Sequence, residues 1–214
     1  MEKIILKQAL PEVFAKGEWV QSDIWHQELA FSRDSISLIK ASSGTGKSSL
    51  LSYIFGYRKD YQGMIFFDDT NIRQLDLKRW NSIRQKELSI MFQELRLFEE
   101  LSAIDNVLIK NKLTHFKSKK KIIELFERLG IAEKLNSPVA TLSFGQRQRV
   151  AFIRALCQPY QFILLDEPIS HLDVANSKVL SDLLFEEASA QGAGIIVTSL
   201  GYELELPYSN HYKL

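Results

Sequence analysis

Cysteine is almost missing from this chain: Cys157 is the one example in 214 residues, which rules out an internal disulfide and suits a reducing cytoplasm. Net charge is nearly missing as well. The balance is +1, with 27 lysines and arginines against 26 acids, so nothing advertises a polyanion-binding surface, and no nucleic-acid partner is expected. No stretch approaches the roughly 18 uninterrupted apolar residues of a membrane span. The opening MEKIILKQAL has too short an apolar run for a cleaved leader and carries Glu2 within it. Work at a membrane would therefore depend on recruitment by a partner. Internal repeats and low-complexity linkers are absent, and the histidines are limited to His26, His115, His171 and His211.

What remains is ordinary globular composition, 45% hydrophobic and 25% charged, long enough for one compact domain carrying a small subdomain. Within it, Ala41 to Ser49 reads ASSGTGKSS. Apart from Ala41 in place of the first glycine, this is the phosphate-binding pattern G-x-x-x-x-G-K-S/T. Its context fits: a β-type run, Ser35 to Lys40, leads in, and Ser49 to Phe55 reads as a helix stopped by Gly56. Backbone N–H groups at such a helix start surround phosphates, and Gly44 and Gly46 permit close approach. Lys47 reaches the β- and γ-phosphates, and the Ser48 hydroxyl sits on Mg²⁺. Ala41 costs about 1–2 kcal/mol only if its position demands positive φ.

A second acidic element is FILLDEP, Phe162 to Pro168. A buried strand ending in Asp166 places a carboxylate at the carboxyl edge of a sheet, where open α/β folds bind ligands. There Asp166 supports the Mg²⁺ shell and Glu167 orients the attacking water. Another apolar run, Ile195 to Ser199, completes a pattern of buried strands between helices, which predicts a mostly parallel sheet. The stretch from Gln93 to Ala140 is helical in pattern instead. Ser102 with Asp105 fits a capping box, Lys119 to Leu129 has helical spacing ending at Gly130, and a further helix begins after Ser143. The basic run Lys117 to Lys121 is expected to be a solvated face.

The order of these motifs resembles the nucleotide-binding domain of ATP-binding cassette (ABC) proteins over essentially the full chain. LSFGQRQR, Leu142 to Arg149, is similar to that family's LSGGQ signature; SHLD, Ser170 to Asp173, is similar to its D-loop; Gln93 matches its Q-loop glutamine and Phe14 its adenine-stacking aromatic. The resemblance implies an α/β P-loop NTPase fold with an amino-terminal antiparallel β portion and an inserted helical subdomain. The core would take residues 1–92 and 156–214, the helical insert about 93–155. It implies ATP contacts from Phe14, Ser42, Ser43, Gly44, Thr45, Gly46, Lys47, Ser48 and Ser49. Mg²⁺ contacts would come from Ser48, Gln93 and Asp166, and catalysis from Glu167. Ser143, Phe144, Gly145 and Gln146 would meet the γ-phosphate held by a second subunit, with Asp173 in the D-loop. The expected assembly is a homodimer, or a heterodimer with a related subunit, around two nucleotides.

QELRLFEELSAIDNV, Gln93 to Val107, resembles the bacterial subgroup that serves lipoprotein release, macrolide export and cell division. In that group a membrane permease docks a cytoplasmic helix by the Q-loop, which would place Leu95, Leu97, Phe98 and Leu101 in a groove and the chain on the cytoplasmic face of the inner membrane. The sequence also departs from the family. Phe144 replaces a signature glycine, and Ser199-Leu200-Gly201 stands where the family carries a phosphate-sensing histidine. Leucine donates no hydrogen bond, so slower or partner-dependent hydrolysis is expected. Two alternatives stay open: a soluble ABC ATPase acting on DNA or ribosomes, and a non-hydrolysing interaction module. No appended regulatory domain is expected after the last strand.

Overall fold

The computed structural model describes residues 1–15 and 21–214. Nine strands form two sheets among these residues. Strands β1 (Lys3–Pro11), β2 (Glu28–Ser32), β4 (Tyr61–Phe67) and β5 (Thr70–Asn71) make an antiparallel sheet in the order β2-β1-β4-β5. Strands β3 (Ile36–Lys40), β6 (Leu88–Met91), β7 (Phe162–Asp166), β8 (Gly194–Ser199) and β9 (Asn210–Lys213) make a parallel sheet in the order β6-β7-β8-β3-β9. Every residue of β7 and β8 is buried, which is why these runs are nearly continuous in apolar residues rather than alternating.

Alternation appears instead in where the side chains go. Ile163 and Leu165 of β7 join one core, and Phe162 and Leu164 join another on the opposite face. The second core is closed by the antiparallel sheet and by helices α1 (Lys47–Ile54) and α2 (Leu77–Lys86). The first is closed by α3 (Ala103–Asn111), α4 (Lys119–Arg128), α5 (Phe144–Leu156) and α6 (Val174–Ser189). Among the described residues the segment from Gln93 to Leu156 holds α3, α4 and α5 and no named strand, and its apolar faces share that core with the parallel sheet.

Three local expectations change in detail. Helix α1 starts at Lys47, not Ser49, because Gly46 at φ 98° turns the chain directly into it. At the start of α3, Ser102 accepts from the Asp105 N–H, but the Asp105 carboxylate returns to the Ser102 hydroxyl rather than to its backbone, so the box is incomplete. Lys117 does not join a solvated face: its ammonium is buried against the Glu187 carboxylate, while Lys119 and Lys120 are exposed.

Candidate functional site

Strand β3 delivers residues 41–46 to the carboxyl edge of the parallel sheet, where they turn into α1. Ala41 lies outside the residues with positive φ and its N–H donates to the Ser199 carbonyl at 3.2 Å, so the strand pairing simply continues and alanine fits there without strain. Gly44 and Gly46 do sit in the left-handed region, at φ 83° and 98°. A Cβ on Gly46 would also lie 3.0 Å from Trp25 and 3.2 Å from Phe14. Those aromatics brace the loop: Trp25 donates its indole N–H to the Thr45 carbonyl at 3.0 Å, and the half-buried Phe14 stands in a short 3-10 turn at the cleft. The sequence carried no signal for Trp25, which lies in an unpatterned stretch. Nor did it mark Arg58, whose guanidinium donates to the Ser49 hydroxyl at 2.8 Å while held by Asp60, which lowers the Asp60 carboxyl pKa.

The cleft over this loop is about 480 Å³, and residues from distant parts of the chain converge on it. Lys47 donates to the Ser42 carbonyl at 3.1 Å and stands 3.4 Å from the Glu167 carboxylate, both side chains being only 6% exposed. Gln93 bridges the pair to the loop: its amide N–H donates to Glu167 at 3.3 Å, and its amide oxygen accepts from the Ser48 hydroxyl at 3.4 Å. Glu167 adopts φ 51°, a left-handed conformation costing a carboxylate-bearing residue about 1–2 kcal/mol. Its neighbours hold it there. The Glu167 N–H donates to the Thr198 carbonyl, and the Gln148 amide donates to the Glu167 carbonyl at 3.1 Å. One residue earlier, the Asp166 carboxylate accepts from the Thr198 hydroxyl at 2.7 Å. The Ser48 hydroxyl and the Gln93 amide oxygen meet at the cleft and are hard oxygen donors of the kind that suits Mg²⁺, whereas the buried Asp166 carboxylate is not among the residues lining the cleft.

A strand, a glycine-bearing phosphate loop at a helix start, and a carboxylate pair beside it are now joined by a glutamine from between them. Comparison with known proteins gives the same answer. The family model described as "ABC transporter" matches residues 26–170. The chain belongs to this ABC transporter family. It is 32% identical to the lipoprotein-releasing system ATP-binding protein LolD of Buchnera aphidicola subsp. Schizaphis graminum, over 80% of this chain and 76% of that one. It is 30% identical to LolD of Shewanella denitrificans, over 92% and 86%. Among solved structures, the dimeric bacterial ABC transporter cassette MJ0796 superposes with a TM-score of 0.77 at 25% identity, covering 92% of this chain and 88% of that one.

The remaining ABC elements lie apart from the phosphate loop. Ser143 caps α5 in a full capping box with Gln146. Gly145 is packed so closely that a Cβ would stand 3.0 Å from the His171 carbonyl. None of residues 143–146 lines the phosphate cleft. Phe144 turns aside and lays its ring on His171, with centroids 4.2 Å apart, lining a neighbouring cleft of about 390 Å³ that also reaches Gln93, Glu167 and Leu200. Asp173 is the N-cap of α6, accepting from the Asn176 N–H and amide at 2.8 Å each; these bonds hold its carboxyl below the usual carboxylate range. Leu200, just past β8, is half exposed and borders both clefts.

Beside Gln93 a separate groove of about 270 Å³ runs between Phe55, Phe92, Phe98, Ile109 and Leu113. Of the four residues expected to line it, only Phe98 does. Leu95 is buried and Leu97 packs on the same core, because this loop folds back over α5 rather than running along the surface; Leu101 is half-buried away from the groove. The walls come instead from α3 and from residues at or just past the ends of α1, β6 and α3, whose meeting no local pattern announces.

Proposed function

We propose that this chain is the ATP-binding and ATP-hydrolysing subunit of an ABC transporter or envelope machine, driving a separate membrane permease by closing as a dimer around two nucleotides. The observation that carries this reading is the convergence of Lys47, Ser48, Gln93 and Glu167 on one cleft. With ATP in the cleft, Phe14 stacks on the adenine and the backbone from Ser42 to Ser49 cradles the phosphates. Lys47 then exchanges Glu167 for a phosphate oxygen. That exchange frees the Glu167 carboxylate to orient and polarise a water against the γ-phosphate, while its strained backbone and the Gln148 bond keep it aimed. Ser48, Gln93 and Asp166 supply the oxygen donors for Mg²⁺, which offsets phosphate charge when bound.

The donor end of α5, the Ser143 hydroxyl with the Gly145 N–H, serves the γ-phosphate on the second subunit through its positive dipole. Asp173 fixes the D-loop by capping α6. Leu200 offers no hydrogen bond where a phosphate contact would help, so turnover is slow or depends on the partner. The names of the LolD relatives, ATP-binding proteins of lipoprotein-releasing systems, support a membrane partner; a permease helix docked in the groove by Gln93 would hold the chain on the cytoplasmic face of the inner membrane. Leu200 and Phe144 favour a second reading, a nucleotide-dependent interaction module without turnover.

Phosphate release and gel filtration with MgATP decide between them. The wild type should hydrolyse ATP, and Glu167→Gln should lose about 10²–10⁴-fold in turnover, the usual worth of a general base. That variant should still bind ATP and accumulate as a dimer. Equal turnover in the two proteins would remove Glu167 from catalysis. No turnover by the wild type, with or without membranes, would leave the module reading.

A further inference from the structure

The groove beside Gln93 is apolar on its walls and cationic at its floor. Lys110 and Arg154 both line it, and neither is paired with a carboxylate among the described residues. Among the described residues Lys110 donates only to the Arg84 carbonyl, at 3.3 Å. Arg154 donates to the backbone carbonyls of Leu95 and Arg96. Arg84, which stacks on Phe55 at the groove wall, likewise donates to the carbonyls of Phe55 and Gly56. The fourth cation, Arg96, lies over the Phe92 ring and meets a carboxylate, the exposed Glu94, only at 3.6 Å.

Such groups are expensive to leave in this state. Burial holds the Lys110 ammonium down to about 8 and the Arg154 guanidinium down to about 10, with Arg154 adding to the displacement of Lys110. Carbonyl dipoles satisfy the donors without neutralising the charge. The apolar walls suit hydrophobic side chains better than a polyanion, and the groove's volume suits a few side chains from one helix face.

We propose that the groove receives an amphipathic helix of a membrane-embedded partner whose apolar face carries a carboxylate, and that Lys110 and Arg154 receive that carboxylate. This rests on the docking of a permease helix proposed above and adds the chemistry by which the helix is recognised. The occupied groove also touches the nucleotide site. Arg154 pins the carbonyls of Leu95 and Arg96, both at positive φ (61° and 51°), in the loop that carries Gln93 between Ser48 and Glu167. A carboxylate drawing on that guanidinium competes with those carbonyls and so bears on where Gln93 sits.

The test uses the full chain as Glu167→Gln, bound with MgATP to membranes of its source. One sample carries a photo-crosslinking side chain in place of Phe98; another is treated with a zero-length carbodiimide, which joins an amine only to a carboxylate in contact with it. Mass spectrometry then maps the linked residues. Expected is an amide bond from Lys110 to an aspartate or glutamate in a cytoplasmic helix of a polytopic membrane protein, in the same segment reached from position 98. Lys110→Gln should lower recovery of that protein at least about tenfold, as loss of a charge-assisted bond does. Lys110→Arg should restore it, and ATP affinity should stay constant in both.

Photo-links to such a helix, with no Lys110 bond to a carboxylate and full recovery with Lys110→Gln, would overturn the charge inference and leave docking intact. Photo-links only to lipid, to a second copy of this chain or to a soluble protein would overturn docking and this inference together.

Discussion

Cations on the two sides of Gln93 are satisfied in opposite ways. In the phosphate cleft Lys47 already faces a carboxylate of its own chain, Glu167 at 3.4 Å. In the groove Lys110 and Arg154 donate, among the described residues, to backbone carbonyls alone. In the proposed function the buried Lys47 exchanges partners: the incoming phosphate takes the cation, and the released Glu167 carboxylate turns to the water. The half-buried Lys110 meets no carboxylate among the described residues, so its charge stays uncompensated until another molecule supplies one. The same residue type thus faces a carboxylate in one place and a backbone carbonyl in the other, and the difference lies in what the tertiary fold sets opposite it.

The contrast breaks most sharply if one substitution is made on both sides. Lys47→Met removes a cation from the phosphates, and titration calorimetry should show ATP binding weakened at least about 100-fold, since charge-assisted bonds contribute about 1.5–3 kcal/mol each. Undiminished affinity would take Lys47 out of the site. Leu200→His, at the border of the two clefts, should raise turnover about tenfold by adding one such bond to the γ-phosphate. Unchanged rates would mean that position 200 does not reach the nucleotide.

Lys110→Met should act in the opposite sense to Lys47→Met and raise the melting temperature at pH 7. Below pH 8 the folded and unfolded chains both carry the Lys110 proton, and the folded one bears its desolvation. Between about 8 and the ordinary 10.5 the unfolded chain binds more protons, so wild-type stability rises with pH. Thermal melts should therefore show the advantage of the variant shrinking across that window, each kcal/mol being about 2–4 °C for a chain of this size. An advantage that grows with pH would contradict the desolvated lysine. Smallest is Ala41→Gly, which should cost about 0.4–1 kcal/mol through the unfolded chain and leave ATP affinity unchanged, because Ala41 needs no left-handed freedom. Tighter ATP binding in that variant would show that the Ala41 methyl does obstruct the phosphates.

Strand-loop-helix around Lys47 was legible because its signals are local: an apolar run, glycines at fixed offsets, a helix beginning. The strand ending in Asp166 was legible for the same reason, and so was the Ser143 cap of α5, where the serine and Gln146 sit within a single turn. Leu95 and Phe98 show where such reading stops. Three residues apart and both apolar, they look alike in sequence, yet the first is buried under Arg154 and the second stands in the groove. Backbone turns at positive φ decide which way each points, and neither Leu95 nor Arg96 is a residue type that predicts such a turn.

Taken by itself, then, the sequence determined the glycine-bearing loop that opens α1, the acidic strand end at Asp166 and the capped start of α5, because each is written within a few adjacent residues. Only the tertiary structure decided that Lys47, Gln93 and Glu167 meet, that Trp25 and Phe14 brace Gly46, that the Lys117 side chain pairs with Glu187, and that Phe55, Phe98, Lys110 and Arg154 line one groove. Those are contacts between parts of the chain far apart in number. Burial and charge compensation are properties of the surroundings a fold assembles, and no periodicity in a linear chain records them.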